Sequence, residues 1–101
     1  MSKRSRTGFS QDRHDRKVLQ LAEKYRRKGY DVKADDVSGF PDPGSIRGRV
    51  PDVVAKKNGH TTVIEVETDD SVGTTRDRKQ RAKFKRWAGR KKTRHFRGII
   101  V

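Results

Sequence analysis

Residues 51–68, PDVVAKKNGHTTVIEVET, contain two apolar runs separated by a turn, and they decide the fold of this chain. Asn58 and Gly59 form the pair most favoured at the centre of a two-residue type I′ hairpin turn, because both residues tolerate positive φ. A turn centred there fixes the pairing of the two strands and places Val54 opposite Val63. The stretch therefore predicts an antiparallel hairpin with a defined register.

Three carboxylates lie in this hairpin. Counting outward from the turn places Asp52 opposite Glu65 at a non-hydrogen-bonded position, where Cα atoms are about 4.5 Å apart. Glu67 falls on the same face, because strand side chains repeat every second residue. Acids so placed repel each other unless a proton or a cation lies between them, and oxygen ligands suit Mg²⁺ or Mn²⁺. The alternative is a frayed strand end at Asp52, with the glutamates pointing into solvent beside lysines.

The composition indicates one small basic domain. The chain has 101 residues, with 27 Lys and Arg against 13 Asp and Glu, a formal charge of +14. A positive field of this strength commonly serves nucleic-acid binding, and a purely electrostatic binder fits it as well. The chain has no cysteine, which excludes disulfides, thiolate zinc sites and cysteine nucleophiles.

A helical pattern precedes the hairpin. Four apolar side chains recur at helical spacing along one face of residues 11–28: Val18, Leu21, Ala22 and Tyr25. Gly29 is well placed to end this helix. Residues 1–10 are polar, basic and unpatterned, and we expect a flexible arm there, followed by a single domain over residues 11–101.

The other segments complete an α-β-β-β-α-β order. Residues 30–34 alternate like a short strand, and residues 35–49, dense in Gly, Pro, Ser and Asp, predict a long loop. Residues 69–78 predict a second loop, residues 80–88 a second helix and residues 94–101 a final strand. One face of the second helix carries the following side chains: Gln80, Phe84, Trp87 and Ala88. This order favours an α/β sandwich around a small mixed sheet.

Nothing in the sequence indicates a membrane protein. No apolar run approaches the roughly 18 residues of a membrane span, and no signal-peptide core follows the basic start. We therefore expect an intracellular, cytoplasmic protein with no membrane partner, associated with the nucleoid.

Several of these segments resemble the PD-(D/E)xK nuclease superfamily, most closely its archaeal Holliday junction resolvase branch. Pro51-Asp52 and the spacing to Glu65 are similar to the motif of that superfamily. The other similar segments are DRKVLQLAEKYRRKGY (15–30), SGF (38–40) and QRAKF (80–84). The resemblance implies a restriction-endonuclease-like sandwich and metal-dependent hydrolysis of phosphodiester bonds in DNA.

The resemblance also implies roles for individual residues. Asp52 and Glu65 would be ligands of Mg²⁺ or Mn²⁺, with the main-chain carbonyl of Val66 as a third. Asp15 would complete the catalytic site from the first helix, where those resolvases carry a Glu. Gln80 would orient the ligands or the DNA, although a polar residue at a helix start explains it equally well.

The chain departs from the family at residue 67, where Glu67 replaces the usual lysine and gives an E-x-E motif. Three interpretations remain open. Glu67 could act as a general base or a further metal ligand, either of which fits a carboxylate beside a metal. A lysine could have moved elsewhere, with Lys83 as a candidate, or activity could have been lost.

Two functions follow from these features. The first is a structure-selective endonuclease similar to a Holliday junction resolvase, acting as a homodimer on branched or junction DNA. The second is a non-catalytic basic nucleic-acid-binding protein that keeps the nuclease fold. Basic side chains expected to contact backbone phosphates in either case are Arg13, Arg16, Arg47, Arg49 and Lys83.

Overall fold

Two helices and four strands form the part of the chain that the computed structural model describes, residues 8–70 and 72–101. In chain order they are α1 (Gly8–Arg27), β1 (Asp31–Ala34), β2 (Val53–Lys57), β3 (His60–Glu67), α2 (Thr75–Gly89) and β4 (Arg94–Ile100). The predicted α/β class and the α-β-β-β-α-β order are therefore confirmed. Residues 1–7 of the predicted basic arm lie outside the described residues.

The four strands form one mixed sheet in the order β1-β2-β3-β4. β2 runs antiparallel to both β1 and β3, whereas β4 runs parallel to β3 because α2 carries the chain back across the sheet. Val54 pairs with Val63, and both turn residues adopt positive φ, 53° at Asn58 and 79° at Gly59. The register predicted from the turn is confirmed.

The two helices pack against opposite faces of this sheet. One cluster of buried side chains joins α1 to alternate residues of β1, β2 and β3: Val18, Leu21, Ala22, Val32, Ala34, Val53, Ala55, Ile64 and Val66. The other cluster joins Phe84 of α2 to Val54 and Val63, which point the opposite way from Val53 and Ile64. We call these the α1 face and the α2 face of the sheet.

The first helix begins earlier than its sequence pattern indicates. It starts at Gly8, so residues 8–10, predicted as the end of the arm, are helical. The Ser10 hydroxyl is buried and donates to an Asp70 carboxylate oxygen at 2.7 Å, which anchors this first turn to the segment after β3. That anchor joins residues 60 positions apart, so the local apolar pattern does not reveal it.

The first helix ends at Arg27, and Gly29, with φ of 91°, terminates it as predicted. The Tyr30 N–H donates to the Tyr25 carbonyl at 3.1 Å and the Gly29 N–H to the Arg26 carbonyl at 3.0 Å, which is the Schellman pattern. The rings of Tyr25 and Tyr30 meet edge to face at 4.9 Å between centroids. This end directs the chain straight into β1.

The second helix also begins earlier than predicted, because residues 75–78 are helical and the loop prediction for them is wrong. The Thr74 hydroxyl caps this helix by accepting the Asp77 N–H at 3.1 Å. The Asp77 carboxylate accepts the Gly73 N–H at 2.7 Å and the Arg81 guanidinium at 3.0 Å. The cap starts the helix without an apolar stripe, which is the signal that the sequence pattern used.

The long loop between β1 and β2 is confirmed, and it contains a small hairpin of its own. Ile46 and Arg49 exchange two backbone hydrogen bonds, of 2.7 and 3.0 Å. Arg47 and Gly48 lie at its tip with φ of 54° and 78°. Arg47 is therefore held at the exposed end of a structured turn.

Candidate acidic site at the end of the sheet

Asp52 and Glu65 meet where β2 begins and β3 approaches its end. Both residues are buried, with relative exposures of 9% and 2%. The Asp52 N–H donates to Glu65 Oε2 at 2.8 Å, and the Val66 N–H donates to Asp52 Oδ2 at 2.8 Å. Asp52 is thus fixed by hydrogen bonds at the end of the hairpin, and the alternative of a frayed, solvated position is wrong.

Burial has a direct consequence for Glu65. The pKa of Glu65 is raised well above its usual value of 4.5, first because burial disfavours the charged form and second because Asp52 is adjacent. Hydrogen bonds from the Asp52 backbone and from Gln80 lower this pKa, and Glu67 adds a smaller upward contribution. The pair is therefore a place where a proton or a cation relieves repulsion between carboxylates.

Gln80 reaches this pair from α2. Its side-chain amide donates to Glu65 Oε1. Phe84, one helical turn later, is fully buried in the α2-face cluster and holds the helix in position. Gln80 therefore orients one of the two carboxylates that the sequence singled out.

A histidine that the sequence reasoning did not select occupies the α1 side of the site. His14 is 3% exposed, and its Nε2 lies 3.2 Å from Asp52 Oδ1. Its Nδ1 lies 3.0 Å from Asp15 Oδ1, so both ring nitrogens donate at once only when the ring is protonated. His14 lies four residues before Val18, so the helical stripe extended by one turn would have identified it as an inward-facing residue.

The position of Asp15 differs from the one implied by the resemblance. The Asp15 side chain is 61% exposed and accepts from the Gln11 amide at 2.7 Å as well as from His14. It reaches Asp52 only through the imidazole of His14. Helix α1 therefore contributes an imidazole to the site, and Asp15 fixes the orientation of that imidazole from outside.

Glu67 and Val66 follow Glu65 on β3. Glu67 is buried on the same face as Glu65, as the strand period predicts. The Val66 side chain belongs to the α1-face core, while its N–H points at Asp52. Because the N–H and C=O of a strand residue point to the same side, the Val66 carbonyl is also directed toward the Asp52 side. We name Asp52, Glu65, Glu67, Gln80 and His14 the acidic site.

The donor set of the acidic site fits a hard divalent cation in its chemistry. Carboxylate oxygens and a backbone carbonyl are the ligands that Mg²⁺ and Mn²⁺ prefer, and a cation beside Glu65 would take the place of the proton that burial favours. Within residues 8–70 and 72–101, no group of three or more His, Asp or Glu side chains is arranged to hold an ion as it stands.

The basic residues expected to contact DNA lie at different distances from this site. Arg49 lines a cleft of about 520 Å³ that also contains Gln80 and Arg76. Arg13 and Arg16 are exposed on α1. The Lys83 ammonium lies 3.5 Å from the Arg47 carbonyl, at the tip of the loop hairpin.

In the described part of the chain, neither helix has the length and apolar character needed to cross a membrane.

Comparison with known proteins gives no family for this chain. No protein-family model matches the chain, and no curated protein gives a significant match.

Proposed function

We propose that this chain is a metal-dependent, structure-selective DNA endonuclease that hydrolyses phosphodiester bonds, with the restriction-endonuclease-like version of the α/β fold. One observation carries the proposal: Asp52 and Glu65 are buried, and the Asp52 main-chain N–H donates to the Glu65 carboxylate, in a chain of formal charge +14. Burying two acids side by side is unfavourable unless their oxygens hold a proton or a cation. A phosphodiester is the anionic substrate that such a cation and such a basic surface would serve together.

Five residues would prepare the site for this chemistry. Asp52, Glu65 and the Val66 carbonyl would hold Mg²⁺ or Mn²⁺, which when bound polarises the phosphate and lowers the pKa of a water molecule. Gln80 and His14 fix the two carboxylates by hydrogen bonds from opposite sides of the sheet. These contacts keep the ligand oxygens oriented before substrate arrives.

Glu67 takes the role of proton acceptor in this proposal. It lies two residues beyond Glu65 on the same face and is buried beside the site. A carboxylate there can accept a proton from an attacking water. In the superfamily that the sequence resembles, a lysine at this position usually helps to position or deprotonate the water. Glu67→Gln should therefore lower cleavage while leaving DNA affinity unchanged, and unchanged cleavage would remove Glu67 from the mechanism.

A second function is favoured by the hydrogen bonds of the same carboxylates. The oxygens of Asp52 and Glu65 contact His14, Val66, Gln80 and the Asp52 N–H, so the cluster is complete without a cation. A basic nucleic-acid-binding protein that retains the fold and has lost cleavage would keep such a cluster for stability. The cleavage assay with Asp52→Asn, described next, separates the two functions.

Asp52→Asn is the variant that tests cleavage, because it preserves shape and removes a charged ligand. With Mg²⁺ present, we expect cleavage to fall at least about 100-fold while DNA affinity is retained. Asp12→Asn, which removes the same charge from an exposed position of α1, is the matched control. Absence of Mg²⁺-dependent cleavage by the wild type, or full cleavage by Asp52→Asn, would leave the non-catalytic function.

The substrate is tested by comparing a four-way junction, a flap and a linear duplex in the same cleavage assay. A four-way junction needs two nicks, and a homodimer with twofold symmetry would place two acidic sites for them. Cleavage of the linear duplex as fast as the branched substrates would contradict structure selectivity. Light scattering of the protein alone and with junction DNA measures the oligomeric state.

A further inference from the structure

The α2 face of the sheet is only partly covered. Helix α2 lies over the β4 side, where a Cβ on Gly98 would meet the Arg81 guanidinium at an ordinary contact distance of 3.6 Å. Over β1 and β2 the same face is covered by the loop hairpin at Ile46 and is otherwise open. The gap between helix, loop and sheet is a cavity of about 270 Å³.

One aromatic ring, two aliphatic side chains and three cations line this cavity, which we call the Trp87 pocket: Trp87, Ile46, Val54, Lys33, Lys56 and Arg94. The two lysines project from neighbouring strands on one face, because Lys33 pairs with Val54 and Lys56 lies two residues further along β2. Asp31 and Thr61 are also in the lining, so three cations face one acid. Within the described chain, neither lysine forms an ion pair.

Trp87 gives the pocket a flat apolar surface. One part of the indole packs against the Val54, Val63 and Phe84 cluster, and the side chain remains half-buried. The Arg94 guanidinium lies 4.8 Å from the ring centroid and also donates to the Trp87 carbonyl at 3.3 Å. Indole rings and guanidinium planes are among the surfaces on which unpaired nucleobases stack, with lysines holding the adjacent phosphates.

The pocket lies at a useful distance from the acidic site. The Asp52 and Glu65 side chains project to the α2 face by strand alternation, at the end of the sheet that His14 also reaches. Lys56 lies four positions after Asp52, which is about 13 Å at about 3.3 Å per residue. At the rise of about 3.4 Å per nucleotide in a stacked strand this spans about four nucleotides, and fewer in an extended strand. A single strand of about this length is long enough to span the two places.

We propose that the Trp87 pocket binds an unpaired nucleotide of the substrate, with its base against Trp87 or Arg94 and its phosphates at Lys33 and Lys56. This inference rests on the proposed nucleic-acid substrate and narrows it to DNA that offers a single-stranded segment, such as a flap. A fully paired duplex buries its bases in the stack and leaves the pocket empty. The occupant is a nucleotide because a flat apolar ring and paired cations complement a flat base and its phosphates.

The single tryptophan of the chain makes this measurable without substitution. Wild-type protein in EDTA is titrated with single-stranded oligothymidylate and with a blunt duplex of equal length, while tryptophan emission is recorded. Labelled DNA in the same titrations reports total binding by anisotropy. We expect the single strand to quench the Trp87 emission and the duplex to bind with little quenching. Binding of the single strand without any change in emission overturns the proposal.

Variants test the pocket by affinity. Trp87→Leu keeps apolar volume beside Phe84 and removes the stacking surface, and it should weaken single-strand binding about 5- to 150-fold with little effect on duplex. Lys33→Gln with Lys56→Gln should weaken single-strand binding more than Lys17→Gln with Lys24→Gln, which removes the same charge on α1. Equal losses in the two pairs, or equal losses for single strand and duplex, contradict a specific subsite.

A separate cleavage measurement with Mg²⁺ distinguishes a wrong proposal for the Trp87 pocket from a wrong proposal for endonuclease activity. If branched DNA is cleaved but Trp87 emission does not respond, the pocket is not a nucleotide site and the endonuclease proposal is unaffected. If emission and affinity respond as expected but nothing is cleaved, the pocket is a nucleotide site of a non-catalytic binder. Far-ultraviolet circular dichroism of Trp87→Leu checks that it folds, and the wild-type quenching result stands whether or not it does.

Discussion

The two faces of the sheet differ in what their helices cover. On the α1 face, nine buried apolar residues from α1, β1, β2 and β3 form a continuous core. On the α2 face, the buried cluster consists of Val54, Val63 and Phe84, and the rest of the face carries charges and an open pocket. A chain with 29% hydrophobic residues can close one face and has little left for the other. Stability is therefore concentrated on the α1 face and binding chemistry on the α2 face.

The acidic site lies where the two faces meet at one end of the sheet. His14 reaches it from α1, and Gln80 reaches it from α2. Each helix thus contributes one hydrogen-bonding side chain to the same carboxylate pair. Substitutions on the two faces should separate stability from binding, and those at the junction should affect the chemistry.

The largest expected effect on stability is at Ile64 on the α1 face. Ile64→Ala removes a fully buried side chain and should lower the free energy of unfolding by about 2–5 kcal/mol. Ile100→Ala, at a position with the side chain more than half exposed, is the control and should change it by about 0.5 kcal/mol or less. Chemical denaturation measures both. Similar losses at the two positions would mean that the α1 face is not the main source of stability.

The pH dependence of stability should report the buried carboxylate at Glu65. Because its pKa is raised in the folded state, its contribution to stability is fully present below the unfolded value of about 4.5 and is lost as the pH rises through the folded value. Without divalent ions, Glu65→Gln should therefore gain stability relative to wild type between about pH 5 and about pH 8. Denaturation at both pH values measures this, with Glu23→Gln as the control.

Mg²⁺ should oppose this loss in the wild type, because an ion that binds only the folded state stabilises it. The expected result is a rise in melting temperature at about pH 8 that Asp52→Asn does not show. An equal rise in both proteins would indicate binding elsewhere on the chain. If the difference in unfolding free energy between Glu65→Gln and wild type stays constant across this pH range, burial does not raise the pKa of Glu65 in the folded protein.

His14 should act as a positioning residue for Asp52. His14→Ala removes the contact at Asp52 Oδ1 and should reduce Mg²⁺-dependent cleavage about 10- to 100-fold and raise the Mg²⁺ concentration needed for half-maximal activity. His14→Gln restores a donor and should recover part of the loss. A lower rate with an unchanged Mg²⁺ requirement would assign His14 to another step, and DNA affinity is measured in parallel.

The smallest expected effect concerns the salt dependence of DNA binding. Each phosphate contact contributes about 0.9 to the slope of log affinity against log salt for B-form DNA. Arg47→Gln with Arg49→Gln should lower this slope by about 1 to 2, because both lie in the hairpin beside the cleft that contains Gln80. Lys24→Gln with Arg27→Gln, at the far end of α1, should change it less. Equal changes would mean that DNA does not approach through the cleft.

Local signals in the sequence account for most of the architecture. The Asn58-Gly59 turn fixed the register that joins Asp52 to Glu65, and the stripe ending at Gly29 fixed the end of α1. The errors fall where long-range contacts or caps act: Ser10 with Asp70 extends α1, and Thr74 with Asp77 extends α2. Neither of these two hydrogen bonds alters the apolar periodicity on which the predictions depended.

The site shows the same division between local and long-range information. Asp52 and Glu65 could be paired from the sequence alone, because a two-residue turn counts the residues on both strands without reference to the rest of the chain. The choice of His14 over its neighbour Asp15, the approach of Gln80 and the position of the Trp87 pocket depend on how the helices pack on the sheet. A rotation of α1 by one residue, about 100°, exchanges which of two adjacent side chains points inward, and only tertiary packing sets that rotation.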